Sequence, residues 1–285
     1  MFKVTNLSFT YPKAKTKTIK NISFDIHPGE IFGFLGPSGA GKSTTQKILI
    51  KLLDHYEGEI TYNQVDLQKL GQSFYEEIGI SFEMPIHFSK LTAHENLAFF
   101  AKLYRSNADI DELLKKVGLY EDRNKMVGQF SKGMKVRLNF VRALLNNPKM
   151  LFLDEPTNGL DPRNAMIIKS MIRDFKAQGG TVFITSHIMS DIDQLCDRVA
   201  FIVDGELRLI DSPRNLKLRY GKNIVKVEYY EHDALIMKEF SLTDLAANEE
   251  FNHILTSKKI ETIHSGETTL EQIFIDVTGV GLNHE

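Results

Sequence analysis

Apolar and polar residues alternate at the start of the chain: Phe2 and Val4, then Leu7 and Phe9, and again Ile22, Phe24 and Ile26. Side chains of a strand point to opposite faces in turn, so the alternation predicts two strands, each with one buried face. Pro28-Gly29 turns the chain. Ile31 to Leu35 is a continuous apolar run ending in glycine, which predicts a short strand buried on both faces. Lys42 to Leu53 predicts a helix with Ile48, Leu49 and Leu52 on one side, and Gly58–Tyr62 and Ile78–Phe82 predict further strands.

From Thr92 to Asn147 the period changes from two to that of a helix. Thr92 and Glu95 have the spacing of a capping box, followed by Leu97, Phe100, Ala101 and Tyr104. Asp109 and Glu112 open a second helix, which Gly118 stops. Leu138, Val141 and Leu145 mark a third, ended by Pro148. Short apolar runs then return at Met150–Leu153 and Val182–Thr185. Asp204-Gly205 between Val199–Val203 and Glu206–Ile210 predicts a hairpin. Beyond Lys222 the alternation of Val225, Val227 and Tyr229 begins a small extension, with Thr268 and Glu271 capping a last helix that carries Leu270, Ile273, Phe274 and Val277. Strands alternating with helices predict an α/β fold with a mainly parallel sheet. To it are added an N-terminal antiparallel β subdomain, a helical subdomain inserted at about residues 92–147 and a small α+β extension. The expected division is 1–222 for the main domain and 223–285 for the extension.

At 285 residues and 42% apolar content the chain can bury a sizeable core. Thirty-five Lys and Arg face 37 Asp and Glu, a net charge of −2 that gives no general attraction to nucleic acid. The single cysteine, Cys196, excludes an internal disulfide and fits a reducing compartment. The N-terminus lacks the charged-then-apolar pattern of a signal peptide, and no apolar run approaches the roughly 18 residues of a membrane span. A soluble, cytoplasmic chain is expected, tied to a membrane only through a partner.

The candidate chemistry begins at Gly36-Pro37-Ser38-Gly39-Ala40-Gly41-Lys42-Ser43, which matches G-x-x-x-x-G-K-[ST] between a predicted strand and a predicted helix. Glycines let the backbone curl so that successive N–H groups point inward at a phosphate, and the helix adds its positive end. Lys42 is expected to reach the β- and γ-phosphates, Ser43 to supply a hydroxyl to Mg²⁺, and Thr44 to line the same site. Many unrelated enzymes share this loop. A guanine-reading N-K-x-D element is not found at Asn124-Lys125, which continues Met126-Val127. A second element is Met150-Leu151-Phe152-Leu153-Asp154-Glu155, four apolar residues and then two acids. The acids belong at the carboxyl end of a buried strand, where ligands of such sheets bind. Asp154 is expected near the metal and Glu155 near the attacking water, which a carboxylate orients and deprotonates.

Gln129-Phe130-Ser131-Lys132-Gly133-Met134 lies before that strand, Asn158-Gly159-Leu160-Asp161-Pro162 after it, and Ser186-His187 after the next. With the phosphate loop, this order resembles the ATPase subunits of ABC transporters over residues 1 to about 215. The resemblance implies ATP and Mg²⁺ as ligands, and a site completed by a second subunit. It implies that Tyr11 stacks on adenine, although a core-edge tyrosine is the plainer alternative. His187 corresponds to the residue that contacts the γ-phosphate, and Asp161 to the one that crosses the dimer interface. Ser131 and Gly133 correspond to the signature residues that close on ATP held by the other subunit; Ser131 also suits a helix N-cap. The ATP-bound, closed dimer and the open state after hydrolysis would then drive a membrane partner.

The chain departs from the family pattern in two places. Glu83 stands where a glutamine that touches metal and water is usual, and it either binds the metal more strongly or swings into solvent. Lys132 and Met134 replace the usual Gly and Gln, a variation similar to that of the exporter-like branch, as is the tail Leu270-Glu271-Gln272-Ile273-Phe274. Met84, Pro85, Ile86 and Phe88, apolar and just beyond Glu83, are either a groove for a helix of the permease or a buried loop. The expected assembly is a homodimer or heterodimer of ATPase subunits on the cytoplasmic face of the membrane, bound to a separate permease, with no nucleic acid. The rival readings are a non-transport ABC ATPase of translation or DNA repair, and an ATP-binding regulator without turnover; Glu155 argues against the second.

Overall fold

The computed structural model describes residues 1–84, 86–105, 108–221, 224–232, 234–266 and 268–281. The first elements are β1 (Phe2–Phe9), β2 (Ile19–Ile26), β3 (Ile31–Leu35), α1 (Lys42–Leu49), β4 (Glu57–Tyr62) and β5 (Val65–Asp66). Strands β2-β1-β4-β5 form the expected antiparallel sheet. Then come α2 (Ser73–Glu77), β6 (Ile78–Ser81), the inserted helices α3 (Ala93–Ala101), α4 (Ile110–Lys116) and α5 (Lys132–Arg142), and β7 (Met150–Asp154). The chain continues through α6 (Pro162–Ala177), β8 (Thr181–Ser186), α7 (Met189–Leu195), β9 (Arg198–Val203) and β10 (Glu206–Asp211).

The second sheet has the order β10-β9-β3-β8-β7-β6 and is parallel except for the β9–β10 hairpin. That hairpin turns through Asp204 and Gly205, both with positive φ, as the paired residues predict. Strands β3, β7 and β8 are buried along their whole length, which is why they read as unbroken apolar runs. A line of phenyl rings joins the two sheets: Phe24 lies 5.0 Å from Phe34, Phe34 5.3 Å from Phe183, Phe183 5.8 Å from Phe152 and Phe152 5.8 Å from Phe2, centroid to centroid. Ile48 and Leu49 of α1 belong to the same core.

Two expected helix ends shift. Helix α1 stops at Leu49, short of Leu53, because Lys51 takes a left-handed conformation and the N–H groups of Leu52 and Leu53 both return to Lys47 O. Leu52 therefore leaves the apolar side and is 58% exposed. The last helix is capped by Thr269, not Thr268: its hydroxyl accepts from Gln272 N at 3.2 Å. The capping box of Thr92 and Glu95 is present as expected.

The chain divides into two compact units, Met1–Ser212 together with Val280 and Gly281, and Pro213–Gly279. The second holds α8 (Pro213–Tyr220), β11 (Ile224–Glu231), β12 (Ala234–Ser241), α9 (Glu249–Ser257), β13 (Lys259–Gly266) and α10 (Leu270–Thr278). Its antiparallel sheet β12-β11-β13 has its own core of Val225, Val227, Tyr229, Phe240, Phe251 and Ile254. The division thus falls at Ser212, ahead of the expected residue 222, since α8 packs on α10; Lys222 itself lies outside the described residues.

Candidate functional site

Four neighbouring parallel strands, β3, β8, β7 and β6, place their carboxyl ends along one edge of the sheet. The phosphate loop follows β3, His187 follows β8, Glu155 follows β7 and Glu83 follows β6. Strands lie about 4.8 Å apart, so four segments far apart in sequence meet within a few side-chain lengths.

The loop is shaped by its glycines. At Gly36 a Cβ would lie 2.1 Å from Ile202 O of the neighbouring strand, so only glycine fits. Gly41, at φ 108, is the N-cap of α1 and offers no side chain to the first helical N–H groups. These donors face a site that suits an anion. Lys42 is 8% exposed, and its ammonium donates to Gly36 O at 2.6 Å and Pro37 O at 3.0 Å. Burial lowers its pKa, and the carboxylates of Glu155, Asp154 and Glu83 oppose that shift. The loop's own carbonyls therefore hold the lysine, and three acids share its field.

Ser43 Oγ donates to Asp154 Oδ1 at 3.2 Å, and Thr185 Oγ1 donates to the same oxygen. A serine hydroxyl beside a carboxylate is a hard oxygen pair, the donor set that Mg²⁺ prefers. No group of three or more His, Cys, Asp or Glu converges among the described residues. Mg²⁺ requires none, since it keeps waters and takes phosphate oxygens. Ser43 and Asp154 thus fit the ion expected with a nucleotide. Glu83 is exposed, and its Oε1 accepts from Asn158 Nδ2 at 3.2 Å.

Glu155 is buried and has φ 49, a left-handed conformation uncommon outside glycine. The turn swings its carboxylate across to β8: Oε1 lies 2.9 Å from His187 Nδ1, and Oε2 accepts from Ser186 Oγ at 3.1 Å and His187 N at 3.3 Å. Such backbone strain, held by several contacts, is typical of functional positions. The His187 ring remains 43% exposed, so one side of it faces outward. Tyr11 packs edge-on against Phe9 at 4.9 Å, and its hydroxyl meets Thr44 Oγ1 at 3.1 Å. This brings the tyrosine to the helix that carries Lys42.

Ser131 and Asp161 make none of these contacts. Ser131 caps α5 by accepting from Met134 N at 3.2 Å; Asp161 caps α6 by accepting from Asn164 N at 3.0 Å. Both are exposed, and the Asn164 N–H holds the Asp161 carboxyl below its usual range. Lys132 lies over Gly159, where an added Cβ would come within 2.8 Å of its Cε. Met84 and Ile86 are 80% and 83% exposed, which removes the buried-loop alternative for them; Pro85 lies outside the described residues. Sequence reasoning assigned no role to Thr185, signalled only by its place at the end of an apolar run, or to Ser186, named only as the neighbour of His187.

Residues 19–158 match the family described as ABC transporter, and residues 223–267 match the Fluoroquinolone efflux ABC transporter C-terminal domain. The chain is 49% identical over 281 residues to the fluoroquinolones export ATP-binding protein of Mycobacterium tuberculosis, covering 98% of this chain and 93% of that one. It is 34% identical over 304 residues to the bacitracin transport ATP-binding protein of Bacillus licheniformis, covering 99% and 98%. Among solved structures, a dimeric ATP-binding cassette in a post-hydrolysis state with ADP and phosphate aligns at TM-score 0.67 and 28% identity, over 75% of this chain and 99% of that one. A bacterial Atm1-family ABC exporter with ATP bound aligns at TM-score 0.70 and 26% identity, over 77% and 40%.

Proposed function

The chain belongs to the ATP-binding subunits of ABC transporters, and we propose that it hydrolyses ATP between two paired subunits to drive export of fluoroquinolone-like drugs through a separate permease. The observation that carries the reading is the pairing of Ser43 with Asp154 and of Glu155 with His187 beside the buried Lys42. The drug class rests on the 49% identity to a fluoroquinolone export protein and on the matching C-terminal segment. A position on the cytoplasmic face of the membrane follows from that assignment, and no helix of the described residues is long and apolar enough to cross a bilayer.

In this mechanism the phosphates of ATP replace the Gly36 and Pro37 carbonyls as partners of Lys42. Loop N–H groups from Ser38 to Thr44 hold the β-phosphate, and Tyr11 backs the base. Ser43 and Asp154 would hold Mg²⁺, which would neutralise charge on the phosphates. Glu155 orients a water in line with the γ-phosphorus and takes its proton, while His187 keeps its ring on the γ-phosphate side. Ser131 and Gly133 of the facing subunit shut the open side, so ATP favours the closed pair and hydrolysis removes that preference. Met84, Ile86 and Phe88 receive the permease.

Phosphate release with Mg-ATP and gel filtration with and without ATP test the reading. Glu155→Gln keeps the shape and removes the base, so turnover should fall about 10²- to 10⁴-fold while ATP still drives pairing. Membrane vesicles containing the permease should take up a fluoroquinolone only with ATP. A Glu155→Gln variant with unchanged turnover, or a wild type that never pairs, refutes the site assignment; uptake independent of ATP refutes the transport role.

A further inference from the structure

The segment after β7 and the segment after β8 touch twice. The first contact is the Glu155–His187 pair, flanked by Ser186. The second lies further along both segments. Asp191, in the first turn of α7, is 6% exposed; its Oδ2 accepts from Thr157 Oγ1, and its Oδ1 accepts from Lys169 Nζ of α6 at 2.7 Å. Lys169 also donates to Gln194 Oε1 at 3.2 Å. Thr157 is itself buried and sits two residues after Glu155, and Leu160 N returns to Thr157 O at 3.1 Å in the turn that leads to Asp161.

A buried ion pair gains little stability over apolar residues of the same shape, because both charges lose water. Here the pair holds a third group, the Thr157 hydroxyl. Two segments joined at a single point rotate about it; joined at two separated points, they move as one. The His187 segment therefore cannot shift away from Glu155 without drawing on Thr157, and with it on the turn that carries Asp161.

We propose that Asp191, held by Lys169, is a positioning residue: through the Thr157 hydroxyl it locks the His187 segment to the Glu155–Asp161 turn, so that the state of one ATP site is passed to the subunit interface. This rests on the paired-subunit reading above. None of the four side chains in this network is part of the phosphate loop or the metal site.

The test uses the full chain and steady-state ATPase kinetics. Thr157→Val removes only the hydroxyl and leaves the Lys169–Asp191 pair intact. The expected result is a fall in kcat of about tenfold, with KM for ATP changed by less than about twofold and the Hill coefficient for ATP lowered toward one. Thr157→Ser restores the hydroxyl and should restore both kcat and cooperativity, which a packing role for the threonine methyl would not. A second route is Lys169→Met with Asp191→Leu, which replaces the pair with apolar groups of similar size. It should cause the same loss, and adding Thr157→Val to it should cause no more. Wild-type kcat and cooperativity in Thr157→Val, or additive losses in the triple variant, overturn the proposal. ATP-driven pairing of the wild type, measured by gel filtration in the same series, separates the two failures: no pairing sinks the paired-subunit reading, whereas normal pairing with indifferent Thr157 variants sinks only this one.

Discussion

Gln46 occupies the second turn of α1 with 1% exposure, yet neither its amide nitrogen nor its amide oxygen has a hydrogen-bond partner among the described residues. Folding therefore buries a donor and an acceptor for which the protein itself supplies no partner. A buried polar group left unsatisfied costs about 1–3 kcal/mol. Leucine has nearly the same volume and no polar atoms, so Gln46→Leu should fill the site without overpacking and remove that cost. The expected gain is about 1–3 kcal/mol, or roughly 2–4 °C in Tm for each kcal/mol in a unit of this size. Gln46→Ala, which removes the amide but opens a cavity, should fall below the leucine variant. Urea unfolding of the nucleotide-free protein, followed by circular dichroism, reads the effect as a higher midpoint at unchanged slope. KM for ATP should stay within about twofold, since Lys42 lies a turn away and keeps its partners. A midpoint at or below wild type for Gln46→Leu refutes the reasoning and means that the amide is satisfied in solution.

Four further outcomes follow from the same geometry. Ser131→Ala should cost about 1 kcal/mol through the lost cap, and turnover should fall about tenfold or more with ATP still bound; intact turnover in Ser131→Ala and Gly133→Asp would end the account of a shared site. Glu83→Gln removes one of the three carboxylates around Lys42, so ATP should bind more tightly without metal and activity should need a different Mg²⁺ concentration; equilibrium binding with and without Mg²⁺ decides. Ile86→Asp, at a position 83% exposed, should leave stability within about 0.5 kcal/mol yet abolish co-purification with the permease. Burial lowers the pKa of His87 to about 4, and its Nε2 lies 3.1 Å from Lys135 O. The unfolded chain takes up a proton below about pH 6.5 and the folded one only near 4, so stability is full above 6.5 and falls by up to about 3 kcal/mol toward pH 4. His87→Gln should flatten that slope in urea melts at pH 7 and pH 5.

Much of this was legible because local chemistry and global role coincide. The phosphate loop needs glycine at Gly36 and Gly41 for reasons of backbone space and φ, and those reasons show in the letters themselves. Strand β7 needs apolar residues on both faces and acids at its end, and reads accordingly. The rest depends on long-range contact. Leu52 fits the apolar side of a helix until Lys51 turns left-handed. Thr157, Lys169 and Asp191 look like ordinary polar residues of loops and helices, and only the pairing of β7 with β8 brings them together. Ser131 and Asp161 stay apart from Lys42, Asp154 and Glu155, each capping its own helix.

The parallel run of β3, β8, β7 and β6 divides the labour between the two rims of the sheet. The phosphate loop, Glu83, Glu155 and His187 follow the carboxyl ends of the strands, while Asn147-Pro148-Lys149 and Gln178-Gly179-Gly180 lead into the opposite ends of β7 and β8. Both bends are tied to the sheet, Lys149 N donating to Glu77 O at 2.8 Å and Thr181 N to Lys149 O at 3.0 Å, so the register of β7 and β8 is set at the end away from the phosphate loop.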